Sequence, residues 1–150
     1  MAGLTEYEGA YGACYISAAT ETALATVNVA LPVTSTTTVT GPLKGFSHTS
    51  PTGKLTYLAP QTGFFSVNIS AVVDTAADTT SYSVGAGVNG AIVAASETLK
   101  VVPAHAVPEH FSSSCIVELD QGDYVEIMVE NQTDHEDIEV LFAELVVVRL

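Results

Sequence analysis

The regular spacing of turn signals between short apolar segments is the feature that most restricts how this chain can fold. Threonine and valine are abundant, and no window of about eleven residues holds the 3.6-residue apolar repeat of a helix. Glycine, proline and asparagine interrupt the segments at roughly 8- to 12-residue intervals, which is typical of β-sandwiches. The pattern predicts an all-β fold, an antiparallel β-sandwich, with these strands: Tyr11–Ser17, Leu24–Leu31, Leu43–His48, Leu55–Leu58, Phe64–Val73, Tyr82–Val88, Ala91–Leu99, Phe111–Leu119, Tyr124–Glu130 and Ile138–Arg149.

Two pairs of neighbouring segments are predicted to form hairpins. The dipeptide Asn89-Gly90 lies between apolar runs, and Asn-Gly in that position is the strongest short-range hairpin signal. An Asp-Gln-Gly-Asp turn separates Phe111–Leu119 from Tyr124–Glu130, and apolar residues alternate through both segments, which predicts a second hairpin. The acidic residues Glu118, Glu126 and Glu130 alternate with these apolar residues and so lie on the opposite side of the strands. We therefore expect that side of the second hairpin to face solvent.

The charge balance excludes two classes of partner. The chain has 17 acidic residues and 4 Lys+Arg, a formal net charge of -13. It therefore cannot build the basic patch that nucleic acids or anionic membranes require, so we expect neither as a partner. Hydrophobic residues make up 47% of the chain, enough to bury a core. Eleven of the acidic residues lie between Glu109 and Glu144, which predicts an acidic, solvent-facing end and an acid-poor end available for contacts.

The length of 150 residues is that of one domain. We expect a single domain over 11–150, preceded by an N-terminal arm of residues 1–10, since termini are often loose. The first residues lack a basic segment followed by an apolar run, so we expect no export signal and synthesis in a cytoplasm. Cys14 and Cys115 are far apart and have no CxxC spacing, which favours free, buried thiols over a disulfide.

Two groups of residues have the chemistry of metal ligands. His105 and His110 flank a loop and, with Glu109, could bind a divalent cation, but the spacing matches no zinc motif. A second group could bind Ca²⁺ but lacks the EF-hand pattern, and the sequence favours solvated acidic turns. This second group consists of Asp120, Asp123, Asp134, His135, Glu136 and Asp137.

No pattern of catalytic or phosphate-binding residues occurs in the context that its chemistry needs. There is no Gly-x-Ser-x-Gly elbow around any serine and no Walker pattern, and the glycines at 85, 87 and 90 have the GxGxxG spacing but lie in a predicted strand and its turn, with no helix after them to bind phosphate. The imidazoles are His48, His105, His110 and His135, and nothing in the spacing groups them into a triad. The sequence therefore predicts a protein that is not an enzyme, with no catalytic, cofactor-binding or metal-binding residue assigned and no cofactor.

Three aromatic residues raise the alternative of a sugar-binding platform. Phe64 and Phe65 are adjacent in a predicted strand, so at least one of them should face the core. Tyr82 begins another predicted strand. The chain has no tryptophan and 7% aromatic residues, so we expect core packing or subunit contact rather than a sugar platform.

An ordered series of short motifs runs through residues 11–150. The motifs are Tyr15-Ile-Ser, Leu31-Pro-Val, Gly45-Phe-Ser-His-Thr, Gly53-Lys-Leu-Thr-Tyr, Phe64-Phe-Ser-Val, Asn89-Gly90 and the segment Leu119-x-x-Gly-Asp-Tyr-Val-Glu-Ile-x-Val-Glu-Asn131. This series resembles small virion proteins and fibre-tip domains of tailed bacteriophages. More distantly, the segment from Tyr57 to Val67, the Asn-Gly pair and the last motif look like the trimeric jelly rolls of the C1q and tumour-necrosis-factor (TNF) type.

This resemblance implies a homotrimeric jelly roll in the virion, as a capsid decoration or cement protein or a head fibre. Its partners would be the major capsid protein or another virion protein. The alternative is a receptor-binding tip domain of a fibre that recognises a host glycan or protein. The mean hydropathy of +0.35 is high for a small monomer, which independently favours burial of apolar surface between subunits.

Overall fold

A computed structural model describes residues 8–33, 38–50, 52–75, 80–103, 107–133 and 136–150. Within these ranges no helix is long and apolar enough to cross a membrane. The described elements are one short 3-10 helix, Ala94–Ser96, and the strands β1 (Tyr11–Ile16), β2 (Thr20–Thr22), β3 (Leu31–Pro32), β4 (Thr38–Lys44), β5 (Phe46–Thr49), β6 (Lys54–Tyr57), β7 (Gly63–Thr75), β8 (Thr80–Val88), β9 (Ala91–Ile92), β10 (Thr98–Val102), β11 (Glu109–Leu119), β12 (Tyr124–Asn131) and β13 (Ile138–Arg149).

The strands form two antiparallel sheets that pack face to face, which confirms the predicted sandwich. The first sheet has six strands in the order β11-β7-β13-β1-β4, and β2 pairs with β13 off this path. The second has seven, in the order β10-β8-β12-β6-β5, with β3 on β12 and β9 on β8. The chain changes sheets between β4 and β5 at Gly45, whose φ of 72° is the left-handed conformation that glycine adopts without strain.

An aromatic cluster occupies the core between the sheets. Phe65 of the first sheet has its ring centroid 4.8 Å from that of Tyr57 and 5.5 Å from that of Phe46, both in the second sheet. The contacts of Phe65 are edge-to-face, the geometry that aromatic quadrupoles favour. The guanidinium of Arg149 donates a hydrogen bond to the Tyr57 hydroxyl at 3.1 Å, so the phenol is satisfied although its residue is buried.

Three of the predicted strands differ in the structure. Leu24–Leu31 is mostly a loop, in which Asn28 adopts a φ of 58° that interrupts extended backbone. Leu43–His48 is divided between two strands at the Gly45 corner, and Ala91–Leu99 is broken by the 3-10 helix. The other seven predicted segments are strands with end shifts of one or a few residues.

The predicted Asn89-Gly90 hairpin is confirmed. The two residues have φ of 52° and 83°, the paired left-handed conformations of a type I′ turn, and Val88 pairs with Ala91. The Asn89 side chain also accepts a hydrogen bond from the Tyr124 backbone N–H at 3.1 Å. The turn is thereby fixed to the next strand of the sheet.

The predicted hairpin of Phe111–Leu119 with Tyr124–Glu130 is wrong. β11 pairs with β7 in the first sheet, whereas β12 lies between β8 and β6 in the second, so the intervening turn crosses between the sheets. The apolar residues of both strands still face one core, but from opposite sides. Alternation alone cannot distinguish these two arrangements, because the same alternate side chains are buried in both.

The acidic C-terminal third does not form a separate end of the molecule. β13 lies between β7 and β1 in the first sheet, and β12 lies between strands of the earlier sequence in the second. The predicted division into an acidic and an acid-poor end is therefore wrong. Residues 1–7 of the predicted arm lie outside the described residues, while Ala10 is buried and its carbonyl accepts the Arg149 N–H at 2.8 Å.

Side chains close one edge of the sandwich. The Thr98 hydroxyl on β10 donates to the Ser112 carbonyl on β11 at 2.8 Å. The Lys100 ammonium on the same strand donates to the His110 carbonyl. These bonds occupy main-chain acceptors of an edge strand that would otherwise be available to another chain.

Candidate functional site

The outward face of the first sheet carries the largest exposed apolar residues that share one surface, and we call it the first-sheet face. Alternation along β7 places Phe65 in the core and Phe64 outside, with 57% of the Phe64 side chain exposed. On β11, Ile116 is 66% exposed. The apolar residues of this face are Tyr11, Tyr15, Phe64, Ile116, Phe142 and Val148.

Strand register places Tyr11, Ile116 and Val148 in one apolar band and Phe142 in a second. Tyr15 lies between the two bands, opposite Glu144, and Phe64 lies opposite Glu118. Ile116 lies opposite Ser66, which lies opposite Val148, which in turn lies opposite Tyr11, so one band crosses four strands. Near the other end of the sheet, Phe142 lies opposite Val72 in a second band. Residues directly opposite on antiparallel strands point to the same side, so both bands face outward together.

A polar groove separates the two apolar bands. It has a volume of about 290 Å³ and its outward polar side chains come from β7, β11 and β13. Ser112, Ser70 and Glu144 form one cross-strand row, which places a carboxylate among hydroxyl groups. Ser114 and Asn68 form the adjacent row. The face therefore alternates apolar, polar and apolar along the strands.

Charges of opposite sign mark the two edges of the first-sheet face. Lys44 on β4 lies opposite Tyr11, and Glu118 on β11 lies opposite Phe64, so both residues are at the same end of the strands. Both are exposed. Because β4 and β11 are the outer strands of the five-strand path, the cation and the carboxylate are on opposite edges.

The second sheet contains buried carboxylates that the sequence pattern placed in solvent. Glu126 is 2% exposed and its Oε2 has no hydrogen-bond partner, and Glu130 is 9% exposed, so the prediction of a solvent-facing side is wrong for both. Burial raises the pKa of Glu126, and the charge of Lys54 opposes this shift. Burial also raises the pKa of Glu130, and the nearby charge of Glu97 raises it further.

The buried position of Glu126 has a local cause in the sequence. Gly87 lies opposite Glu126 on β8, and a Cβ built on Gly87 would lie 3.4 Å from the Glu126 Cγ and 2.4 Å from the Met128 Sδ. The absence of a side chain on Gly87 lets these two side chains lie flat across β8. The sequence indicated a glycine-rich strand with room for a bulky side chain, but it did not indicate that Glu126 and Met128 would occupy that room.

Replacing Glu126 by glutamine should stabilise the fold in a pH-dependent way. The folded-state pKa is raised above its ordinary value of 4.5, so the stability linked to this group is present below 4.5 and lost as pH rises through the folded pKa. We expect Glu126→Gln to raise the free energy of unfolding by on the order of 1 kcal/mol at pH 7.5 and by less at pH 4. Urea unfolding at both pH values measures the difference.

Glu21→Gln is the matched control for this experiment, because Glu21 is an exposed carboxylate on β2. Its effect on the free energy of unfolding should be small at both pH values. Equal gains from Glu126→Gln at pH 4 and pH 7.5 would contradict the burial of the charged carboxylate.

Comparison with known proteins was made with family models, with curated proteins and with solved structures. No family model and no curated protein matches the chain. Among solved structures, Eiger TNF from S. frugiperda aligns with a TM-score of 0.57 and 16% identity over 95% of this chain and 93% of that one. Murine APRIL at pH 5.0 aligns with a TM-score of 0.59 and 11% identity over 95% of this chain and 99% of that one. The fold is a TNF-like jelly roll.

The TNF-like part of the sequence resemblance is thereby confirmed at the level of fold. A second structure of murine APRIL, at pH 8.5, aligns with a TM-score of 0.56 and 11% identity over 93% of this chain and 99% of that one. At these identities the likeness concerns architecture alone. The resemblance to bacteriophage virion proteins stays a prediction from the sequence.

In this jelly roll, the acidic turns that were considered as a possible calcium site lie at opposite ends. Asp120 bonds to the Thr62 hydroxyl beside the start of β7, whereas Asp137 accepts the Leu24 N–H at 2.8 Å near the end of β7. A strand of 13 residues separates the two positions by roughly 40 Å. Asp123 accepts a hydrogen bond from Asn89 at 2.8 Å, so it too is engaged in a turn.

The other predicted metal ligands are only partly described. His105, Asp134 and His135 lie outside the described residues. Glu109 and His110 are adjacent on β11 and so point to opposite sides of the strand. The part of the chain that the structure describes contains no group of three or more His, Cys, Asp or Glu side chains positioned to hold a metal ion.

The aromatic platform predicted as the weaker alternative is not assembled. Phe65 and Tyr82 are both fully buried, and only Phe64 faces outward. The Tyr82 hydroxyl donates to the Asp137 carbonyl at 2.8 Å, which ties β8 to the start of β13. Phe64 instead belongs to the apolar part of the first-sheet face.

Both cysteines are free, as predicted, but only Cys14 is buried, and Cys115 is half-buried. The Cys14 thiol donates to the Gly53 carbonyl at 3.4 Å, and burial together with the charge of Glu144 raises its pKa to about 12. Burial also raises the pKa of Cys115, although a hydrogen bond with Ser96 lowers it in part. Neither thiol has the thiolate character that a nucleophile needs at neutral pH.

His48 is half-buried on β5, close to β4. Its Nδ1 is 2.7 Å from the Thr40 hydroxyl, and its buried Nε2 has no partner. Burial lowers the pKa of His48 below its ordinary value of 6.5. Acidification from 6.5 toward the folded pKa therefore removes stability, because in that window the unfolded chain binds the proton more readily.

Proposed function

We propose that this protein is a homotrimeric, non-enzymatic structural protein of a tailed-bacteriophage virion, whose copies associate through the first-sheet face. The observation that supports self-association best is the pair of apolar bands exposed on that face. Isolated exposed apolar residues are ordinary, but several large apolar residues clustered on one face of a sheet are typical of a protein interface. Burying it between copies contributes favourable free energy roughly in proportion to its area.

The edge charges favour a ring in which each copy contacts the next through different edges. Lys44 on one edge and Glu118 on the other would meet when copies are arranged head to tail around an axis. Such heterologous contacts close into a ring when the rotation permits it. Edge-to-edge sheet pairing at β10 and β11 is disfavoured, because Thr98 and Lys100 already bond to β11 carbonyls.

The virion role rests on the sequence resemblance together with this assembly mode. A trimer that bridges neighbouring capsid subunits binds only their assembled state, and by mass action it raises the free energy needed to separate them. We place the capsid contact on the N-terminal residues 1–10. The polar groups that could suggest catalysis are instead held in structural bonds, as with Tyr82 and Asp137, and both cysteines are protonated thiols.

Light scattering coupled to size exclusion tests the assembly. We expect a single species with three times the chain mass that dissociates to monomer on dilution. A protein that remains monomeric at about 100 micromolar, where even an interface with a Kd near that value would form, contradicts trimer formation.

Co-sedimentation with capsids of the source phage tests the virion role. The full chain should sediment with capsids, and deletion of residues 1–7, which spares the buried Ala10, should weaken binding by roughly tenfold, which corresponds to about 1.4 kcal/mol of binding free energy. Undiminished binding of the deletion variant would contradict the assignment of the capsid contact to that segment. Saturable binding to host cells or a glycan array without capsid binding would favour the receptor-binding alternative.

A further inference from the structure

We propose that the serine-lined groove around Glu144 stays hydrated inside the trimer and fixes the relative position of its copies. This inference rests on the proposed self-association through the first-sheet face. It concerns a polar feature that adds no apolar burial, and so it does not follow from association itself.

The position of Glu144 makes its solvation a condition of assembly. Its cross-strand neighbours are Ser70 and Tyr15, and neither side chain carries a positive charge. Apolar bands lie on both sides along the strands, at Val148 and at Phe142. A neighbouring copy that covers the bands therefore also covers the carboxylate between them.

Dry burial of this carboxylate would oppose assembly. An ionised carboxylate without a counter-charge is costly to remove from water, by several kcal/mol even after relaxation. The groove of about 290 Å³ provides the alternative, since each water in liquid occupies roughly 30 Å³. Hydroxyl groups of Ser70, Ser112 and Ser114 can hold such waters, which would keep Glu144 solvated while the apolar bands are closed.

The same arrangement selects one register between copies. If a copy shifts along the strands by one cross-strand row, apolar side chains of its neighbour cover Glu144 and displace the water. Only the arrangement in which the grooves of all copies meet around the ring axis buries the bands and keeps the carboxylate wet. A buried polar group can in this way exclude alternative registers and oligomer sizes at a cost in affinity.

Glu144→Leu tests the inference by sedimentation velocity beside the wild type. We expect the wild type to form one trimeric species, and Glu144→Leu to associate roughly tenfold more tightly but into several discrete sizes. Glu144→Gln keeps a hydrated polar group and should keep a single trimer. Glu139→Leu, which removes the same charge from the same strand outside the groove, should also keep a single trimer.

The outcomes separate this inference from the proposed function. A monomeric wild type overturns the proposed function and this inference together. A trimeric wild type whose Glu144→Leu variant forms only trimers, or associates no more tightly, overturns this inference alone. Thermal unfolding of each variant, followed by circular dichroism, confirms that Leu at this exposed position leaves the fold intact.

Discussion

Replacing Phe65 by alanine should lower the free energy of unfolding by about 3–5 kcal/mol, the largest stability loss that we expect from a single side chain here. Phe65 is fully buried and its ring contacts the rings of Tyr57 and Phe46 in the opposite sheet. Alanine removes these contacts and leaves a cavity that two hydrogen-bonded sheets cannot easily close. Urea unfolding at fixed pH measures the loss.

Phe64→Ala is the matched control, because it removes the same ring from the neighbouring residue. Phe64 is 57% exposed, so its loss should cost well under 1 kcal/mol in a dilute, monomeric sample. Its cost should grow with protein concentration if the first-sheet face is buried between copies. Equal losses from the two substitutions in dilute protein would contradict the inward orientation of Phe65.

Replacing Ile116 by glutamate should dissociate the trimer while leaving each copy folded. Ile116 is 66% exposed and begins the apolar band that continues through Val148 to Tyr11. In the trimer, a carboxylate at this position would be buried without a partner. We therefore expect association to weaken by roughly a hundredfold or more. Light scattering across a dilution series measures the change in mass.

Leu99→Glu controls for the added charge. Leu99 is 59% exposed on β10, an edge strand of the second sheet, and is not part of the first-sheet face. This substitution should leave the trimer intact. Dissociation by Leu99→Glu with no effect of Ile116→Glu would transfer the interface to the second sheet.

Local sequence signals were sufficient for most strands and for one turn. Asn89-Gly90 forms a hairpin because its backbone preference is satisfied within four residues and needs no distant contact. The long strands β7, β11 and β13 have an apolar alternation that persists over enough residues to define a buried face. Leu24–Leu31 shows the limit of such reasoning, since its apolar residues predicted a strand but the segment is mostly a loop.

The candidate site was only partly accessible to such reasoning. The sequence indicated that Phe64 and Phe65 face opposite sides and that the chain carries more apolar surface than a small monomer needs. It did not identify which sheet would present that surface. Glu126 and Glu130 were misplaced because alternation was interpreted as one dry and one wet face, whereas β12 is a central strand that is buried on both sides.

The sequence by itself determined the strand content and the alternation of side chains along each strand, because these depend on residues close together in the chain. It also determined the overall negative charge, which depends on composition alone. Tertiary structure decided which strands are neighbours. It placed β11 and β12 in different sheets and brought Tyr11, Ile116 and Val148 into one band. Strand order depends on contacts between residues far apart in sequence, and many pairings bury the same apolar parity, so only the packing of the whole chain selects one.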